Sequence, residues 1–216
     1  MRMELLVLEQ VDFSYEKKEV LRKASACFER GKMYVILGKS GSGKTTLLSL
    51  LGGMDEPKSG KILLDGTEIN KKNMDDYRAK RVSVIFQNYN LVDYLTAAEN
   101  VELLAGKGGR GILRKLGLTE EEITRNVLEL SGGQQQRVAI GRALASERDI
   151  LLADEPTGNL DGKTALEIAE IMKRMAHEYK KCVIVVTHSL EVAEYADVVF
   201  ELKQARLNDR YEKSQR

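Results

Sequence analysis

The run Lys32-Met33-Tyr34-Val35-Ile36-Leu37-Gly38-Lys39-Ser40-Gly41-Ser42-Gly43-Lys44-Thr45-Thr46 carries the architecture of this chain. Its first six residues form a mostly apolar strand that stops at a Gly-rich turn. From Gly43 the pattern reads as a helix to residue 51. Gly38 to Thr45 fits G-x-x-x-x-G-K-[ST], and the chemistry explains the residue types. A phosphate chain needs backbone N–H donors converging from one side, and side chains there would block its approach. Gly38, Gly41 and Gly43 supply the dihedrals and the bare backbone. The helix aims its positive end at the phosphates. Lys44 sets a point charge against the β and γ oxygens, and the Thr45 hydroxyl is placed to ligate Mg²⁺.

Upstream of this run, 5–13 and 24–28 read as short strands. Downstream, 61–64 and 67–69 flank Asp65-Gly66, a hairpin signal. A polar helix over 74–80 and a strand over 82–86 follow. Three capping boxes then announce helices: Thr96 with Glu99, Thr119 with Glu122, and Ser131 with Gln134. A buried strand at 150–153, an amphipathic helix at 166–179, a β-branched strand at 183–186 and a last strand at 198–202 complete the order. Strands alternating with helices predict an α/β fold with a mainly parallel sheet.

The strand at 150–153 runs into Asp154-Glu155. Buried carboxylates are costly without a cation or donors nearby. Beside a phosphate loop each has a use. Asp154 would hold Mg²⁺ through its water shell, and Glu155 would orient or deprotonate an attacking water. Taken alone, Asp154-Glu155-Pro156 reads rather as the start of a turn; behind the complete phosphate loop the functional reading prevails.

Leu130-Ser131-Gly132-Gly133-Gln134 resembles the LSGGQ signature of the ABC ATPases, and the other landmarks of that family occur in order. Gln87 resembles the Q-loop glutamine, Asn159-Leu160-Asp161 the D-loop, and His188 the switch histidine. Tyr15 resembles the aromatic residue that stacks on adenine; Phe13 shares its face if this stretch is a strand. The resemblance covers 5–202. It implies a P-loop NTPase with a RecA-like core, an antiparallel β subdomain and a shortened α-helical subdomain. The core and β subdomain would take 1–87 and 131–205, the helical subdomain 88–130, all within one domain of 216 residues.

It also implies an ATPase that binds ATP and Mg²⁺. Tyr15, Gly38, Lys39, Ser40, Gly41, Ser42, Gly43, Lys44, Thr45, Thr46 and Gln87 would hold the nucleotide, and Thr45, Gln87 and Asp154 the metal. Glu155, His188, Gln87 and Lys44 would carry catalysis. Ser131, Gly132, Gly133, Gln134 and Asp161 would complete the ATP site of a partner subunit in a dimer of like chains. Membrane permease subunits would dock near Gln87 and 89–94. The run Glu155-Pro156-Thr157-Gly158-Asn159-Leu160-Asp161 and the triple Gln134-Gln135-Gln136 look most like the subgroup that serves macrolide export, lipoprotein release and peptide or bacteriocin export. A force-transmitting cell-division ATPase belongs to the same subgroup and is the alternative. One departure stands out. The stretch 87–130 is short for that subgroup, and Gly106-Lys107-Gly108-Gly109-Arg110-Gly111 predicts a flexible loop where the subgroup has a longer helix.

Bulk properties agree. A net charge of +1 gives no electrostatic case for nucleic acid. No apolar run approaches the ~20 residues that cross a bilayer, and residues 1–8 are too short and charged for a signal peptide. Cys27 and Cys182 sit in apolar runs and read as reduced core residues. His177 reads as solvated surface. The expectation is a cytoplasmic protein, peripheral on the inner face of the membrane.

Overall fold

The structure is a computed structural model that describes residues 4–16 and 18–212. Of the segment read as too short for a signal peptide, residues 1–3 lie outside the described residues. The first two strands, β1 (Glu4–Tyr15) and β2 (Lys18–Glu29), form a long antiparallel pair. Both exceed the short runs expected from sequence. Buried Leu6 and Leu8 fall on even positions, whereas buried Val11 and Phe13 fall on odd ones. The pairing register slips between Leu8 and Val11, where Gln10 takes a φ of 49°. Such an irregularity returns the apolar side chains to one face.

Next come β3 (Met33–Leu37), α1 (Lys44–Leu51), β4 (Ser59–Leu64) and β5 (Thr67–Glu68). Asp65 and Gly66 both have positive φ, as a two-residue hairpin turn requires. Then follow α2 (Met74–Arg81), β6 (Val82–Ile85), α3 (Ala97–Ala105), a 3₁₀ turn (Gly106–Gly108), α4 (Gly109–Lys115), α5 (Glu120–Thr124) and α6 (Gly132–Ala145). The chain closes with β7 (Ile150–Asp154), α7 (Gly162–His177), β8 (Cys182–Thr187), α8 (Leu190–Ala193), β9 (Val198–Lys203) and β10 (Arg206–Glu212).

One sheet is antiparallel, in the order β2-β1-β4-β5. The other is β10-β9-β3-β8-β7-β6, parallel except where β10 joins β9. On β3 the side chains alternate between two cores. Tyr34 and Ile36 pack with the leucines of α1 and the antiparallel sheet, while Met33, Val35 and Leu37 pack with α3, α6 and α7. Burial on both faces explains why β3, β7 and β8 read as unbroken apolar runs.

Four expectations need correction. The strand at 198–202 is not the last, because β10 pairs with it. The 106–111 segment is not a flexible loop: it is a 3₁₀ turn leading into α4. Gly109 lies so close to α3 that a Cβ there would stand 2.7 Å from Glu102 Cγ and 3.1 Å from the Ala98 carbonyl oxygen. Leu113 is fully buried below it, so packing overrides low helix propensity. Cys27 is only partly buried, whereas Cys182 is buried; both are free thiols. Burial, with Glu4 beside it, pushes the Cys27 thiol up to about 11. His177 is exposed but not merely solvated, since its Nε2 lies 2.9 Å from Asp197 Oδ2.

Candidate functional site

The loop between β3 and α1 wraps a cavity of about 690 Å³. Its floor is Ser40 to Thr46. Gly43 caps α1 with a φ of 102°, and a Cβ there would stand 2.5 Å from Val20 Cγ1. A Cβ at Gly38 would meet Ser42 Oγ at 2.5 Å. At Gly43 the left-handed backbone demands glycine, and at Gly38 a side chain would displace the Ser42 hydroxyl. The Ser42 hydroxyl oxygen is buried without a hydrogen-bond partner. Buried polar groups are normally satisfied, so this one suits an oxyanion laid in the loop. Lys44 is buried and donates from Nζ to the carbonyls of Gly38 (2.9 Å) and Lys39 (3.3 Å). Lys39 itself is exposed.

The end of β7 forms the opposite wall with Asp154 and Glu155. Glu155 is held at a φ of 44°, with its N–H donating to the Val186 carbonyl at 2.9 Å. Its Oε1 lies 3.3 Å from Lys44 Nζ, and its Oε2 accepts from the Thr187 hydroxyl at 3.0 Å and lies 3.0 Å from His188 Nδ1. Burial works against ionisation of Glu155, but these hydrogen bonds and the Lys44 charge outweigh it and hold the carboxyl below its ordinary value. For Asp154 the balance reverses. Burial, reinforced by the Glu155 charge, raises it despite the hydrogen bond with Thr45 and the charge of Lys44.

Hard oxygen donors suit Mg²⁺. The Thr45 hydroxyl, the Asp154 carboxylate and the Gln87 amide oxygen, all lining one cavity, form such a set. Among the described residues no cluster of three or more His, Cys, Asp or Glu could hold a metal ion. A metal here would complete its shell with oxygens from outside these side chains, water or substrate.

Tyr15 lines the cavity, 51 % exposed, with its ring set edge-on to buried Phe13 at 5.0 Å. Phe13 belongs to the core and does not reach the cavity. Lys18, Glu19, Val20, Gln204 and Ala205 line the same cavity. Sequence reading missed Gln204 and Ala205 because they form the β9–β10 turn, beyond the last expected strand. It gave no role of its own to Thr187, whose hydroxyl at the end of an otherwise apolar strand was the available signal.

The remaining residues stand apart. Ser131, Gly132, Gly133, Gln134 and Asp161 do not line this cavity. Ser131 and Gln134 form the capping box of α6, and Gln134 Nε2 donates to Glu122 at 2.6 Å. Asp161 caps α7, accepting from Thr164 N and Oγ1. A Cβ at Gly133 would stand 2.5 Å from Thr164 Cγ2. This glycine is therefore dictated by contact with α7 as well as by open N–H groups.

A Gly-rich loop between a buried parallel strand and a helix, faced by two carboxylates at the end of the next strand but one in the same sheet, defines a P-loop nucleoside triphosphatase site. The family described as ABC transporter matches residues 21–158. An uncharacterized ABC transporter ATP-binding protein, YclH of Bacillus subtilis, is 42% identical over 214 residues, covering 94% of this chain and 95% of YclH. The macrolide export ATP-binding/permease protein MacB of Mannheimia succiniciproducens is 41% identical over 203 residues, or 88% of this chain but 31% of MacB. Among solved structures, the dimeric ABC transporter cassette MJ0796 superposes with a TM-score of 0.85 at 33% identity, covering 98% of this chain and all of that one. The same cassette in a post-hydrolysis dimer with ADP and Pi gives 0.83. The chain belongs to the ABC transporter family, as one of its ATP-binding subunits.

Proposed function

We propose that two copies of this chain sandwich two ATP molecules, each held by the phosphate loop of one copy and covered by the Ser131–Gln134 end of the other, and that their closure and reopening drives a membrane permease. The observation that carries this reading is the separation of the two anion-binding surfaces. The cavity holds Lys44, Thr45, Asp154 and Glu155 but none of the residues from Ser131 to Gln134. The dimeric form of the MJ0796 cassette supports it.

Within each cavity, Tyr15 stacks on the base. Residues 38–46, Lys44 above all, hold the triphosphate. Thr45 and Asp154, with Gln87, would hold Mg²⁺, which when bound neutralises charge on the β and γ oxygens. Glu155 takes a proton from water as the water oxygen bonds to the γ phosphorus. The bond from that phosphorus to the β–γ bridging oxygen breaks, leaving ADP and phosphate. His188, released from Glu155, steadies the γ oxygens. Thr187 keeps Glu155 aimed. Closure excludes water and strengthens each of these interactions. Residues 88–130 form the helical subdomain on a core formed by 1–87 and 131–205, and the permease docks beside Gln87 and 89–94.

No helix among the described residues is long and apolar enough to cross a membrane. In this reading the permease is a separate chain, and this one sits on the cytoplasmic face. In MacB, named as an ATP-binding/permease protein, this chain matches only 31% of the length. That likeness supports export as the direction and a macrolide-like drug as one cargo, beside the peptide or lipoprotein that the motif resemblance implies. Glu155→Gln should bind ATP, lose turnover and run at dimer mass in gel filtration with ATP. An ATP-loaded variant that stays monomeric overturns the shared site.

A further inference from the structure

The segment after β6 leads from the cavity to the start of α6. Gln87 lines the cavity. Two residues on, the Tyr89 hydroxyl lies where a Cβ on Gly132 would meet it at 3.0 Å. Between these points the backbone is strained. Tyr89 and Asn90 are consecutive and both left-handed, with φ of 51° and 49°. That region is unfavourable for residues other than glycine, and more so for an aromatic one than for asparagine. Such turns persist only where surrounding contacts over-determine them.

Inside the turn, the Tyr89 N–H donates to the Phe86 carbonyl at 3.2 Å and the Asn90 N–H to Asn88. The outside contact comes from α6. Arg142 Nη1 donates to the Asn90 carbonyl at 2.7 Å, and Nη2 to the Tyr89 carbonyl at 3.2 Å. The guanidinium fork matches two adjacent carbonyls in a way a single ammonium does not. Among the described residues Arg142 has no carboxylate partner. A half-buried cation is costly unless its donors are used, and here they are used on the strained turn. Arg142 lies ten residues beyond Gly132 on one helix, about 15 Å along its axis. Residues 89–90 thus meet α6 at two separated points, bonded at Arg142 and in close contact at Gly132.

We propose that Arg142 is a positioning residue for hydrolysis: it fastens the strained 89–90 turn to α6, so that Gln87 in one cavity and the Ser131–Gly133 end facing the other move as one body. This rests on the reading of the cavity as an ATPase site. The Arg142 carbonyl contacts touch neither the base nor the phosphate grip, so ATP binding should survive their loss while turnover does not.

The test is steady-state ATPase activity of the full chain, with equilibrium binding of a fluorescent ATP analogue and a thermal melt for each variant. Arg142→Ala should keep analogue affinity and KM within about twofold and lower kcat about ten- to a hundredfold. Arg142→Lys, which reaches one carbonyl at a time, should fall between, and carries the test if Arg142→Ala does not fold. Asn90→Gly added to Arg142→Ala should restore part of kcat, because glycine holds a positive φ without help. Unchanged kcat, a loss expressed as raised KM, or no recovery from Asn90→Gly overturns the clamp. Absence of turnover in the wild-type chain would instead overturn the ATPase reading together with the role built on it.

Discussion

Asp154 and Glu155 are adjacent, yet their surroundings drive them in opposite directions. Glu155 sits below its ordinary value because His188, Thr187 and Lys44 outweigh burial, and Asp154 sits above its own because burial wins. Linkage turns this into a stability statement. A carboxyl raised in the folded state costs nothing below its unfolded value, near 3.8 for Asp154, and an increasing amount as pH rises through the folded value. Above the folded value the nucleotide-free protein bears that cost in full. Asp154→Asn should therefore raise the melting temperature at pH 7 while abolishing hydrolysis, and the gain should vanish below about pH 4. A melting temperature that falls at pH 7 would show that the Thr45 hydrogen bond outweighs burial. The Gly-rich loop was legible at this scale because its glycines sit at the fixed spacing a phosphate-binding turn needs, Gly41 and Gly43 at positive φ. The reason for Gly133 was not, because Thr164 reaches it from thirty-one residues away.

Among the elements, those that announce themselves locally stand where the sequence put them. Thr96, Thr119 and Ser131 each accept from the N–H three residues on, and each helix starts there. A cap is a contact between near neighbours, so sequence carries it. Helix α4 and strand β10 are set by distant partners instead. β10 is largely polar, with Arg206, Asn208, Asp209 and Arg210, and exists by pairing with β9. Helix α4 exists because Gly109 and Leu113 fit the helices around it. This separates its glycines. Gly111→Ala meets nothing within 4 Å and should stabilise the protein by about 0.5–1 kcal/mol through helix propensity. Gly109→Ala must displace Glu102 or part the α3 backbone and should cost about 1–3 kcal/mol. Urea unfolding of both variants checks the pair, and a stabilising Gly109→Ala would mean that α4 is not packed as described.

At the scale of the molecule, two layers of core on either face of one parallel sheet bring distant segments to a single edge. Residues 38–46, 154–155 and 187–188 meet there because β3, β7 and β8 are neighbours and end together. Their order in the chain carries the family resemblance. Their convergence, with Glu155 bonded to Lys44, Thr187 and His188 at once, is visible only in three dimensions. The 204–205 turn joins them from an antiparallel edge strand that sequence did not reveal.

The cavity lacks Ser131 to Gln134 in its own chain, and that arrangement has a genetic consequence. In the proposed dimer, Lys44→Ala should spoil a chain as host, while Ser131→Arg should spoil it only as guest. Either variant alone should be inert. Mixed together, some pairs will join an intact host to an intact guest and regain one working chamber of two. ATPase activity emerging only on mixing, measured against each variant separately, is the expected complementation. A mixture as silent as its components would mean that no chamber is shared.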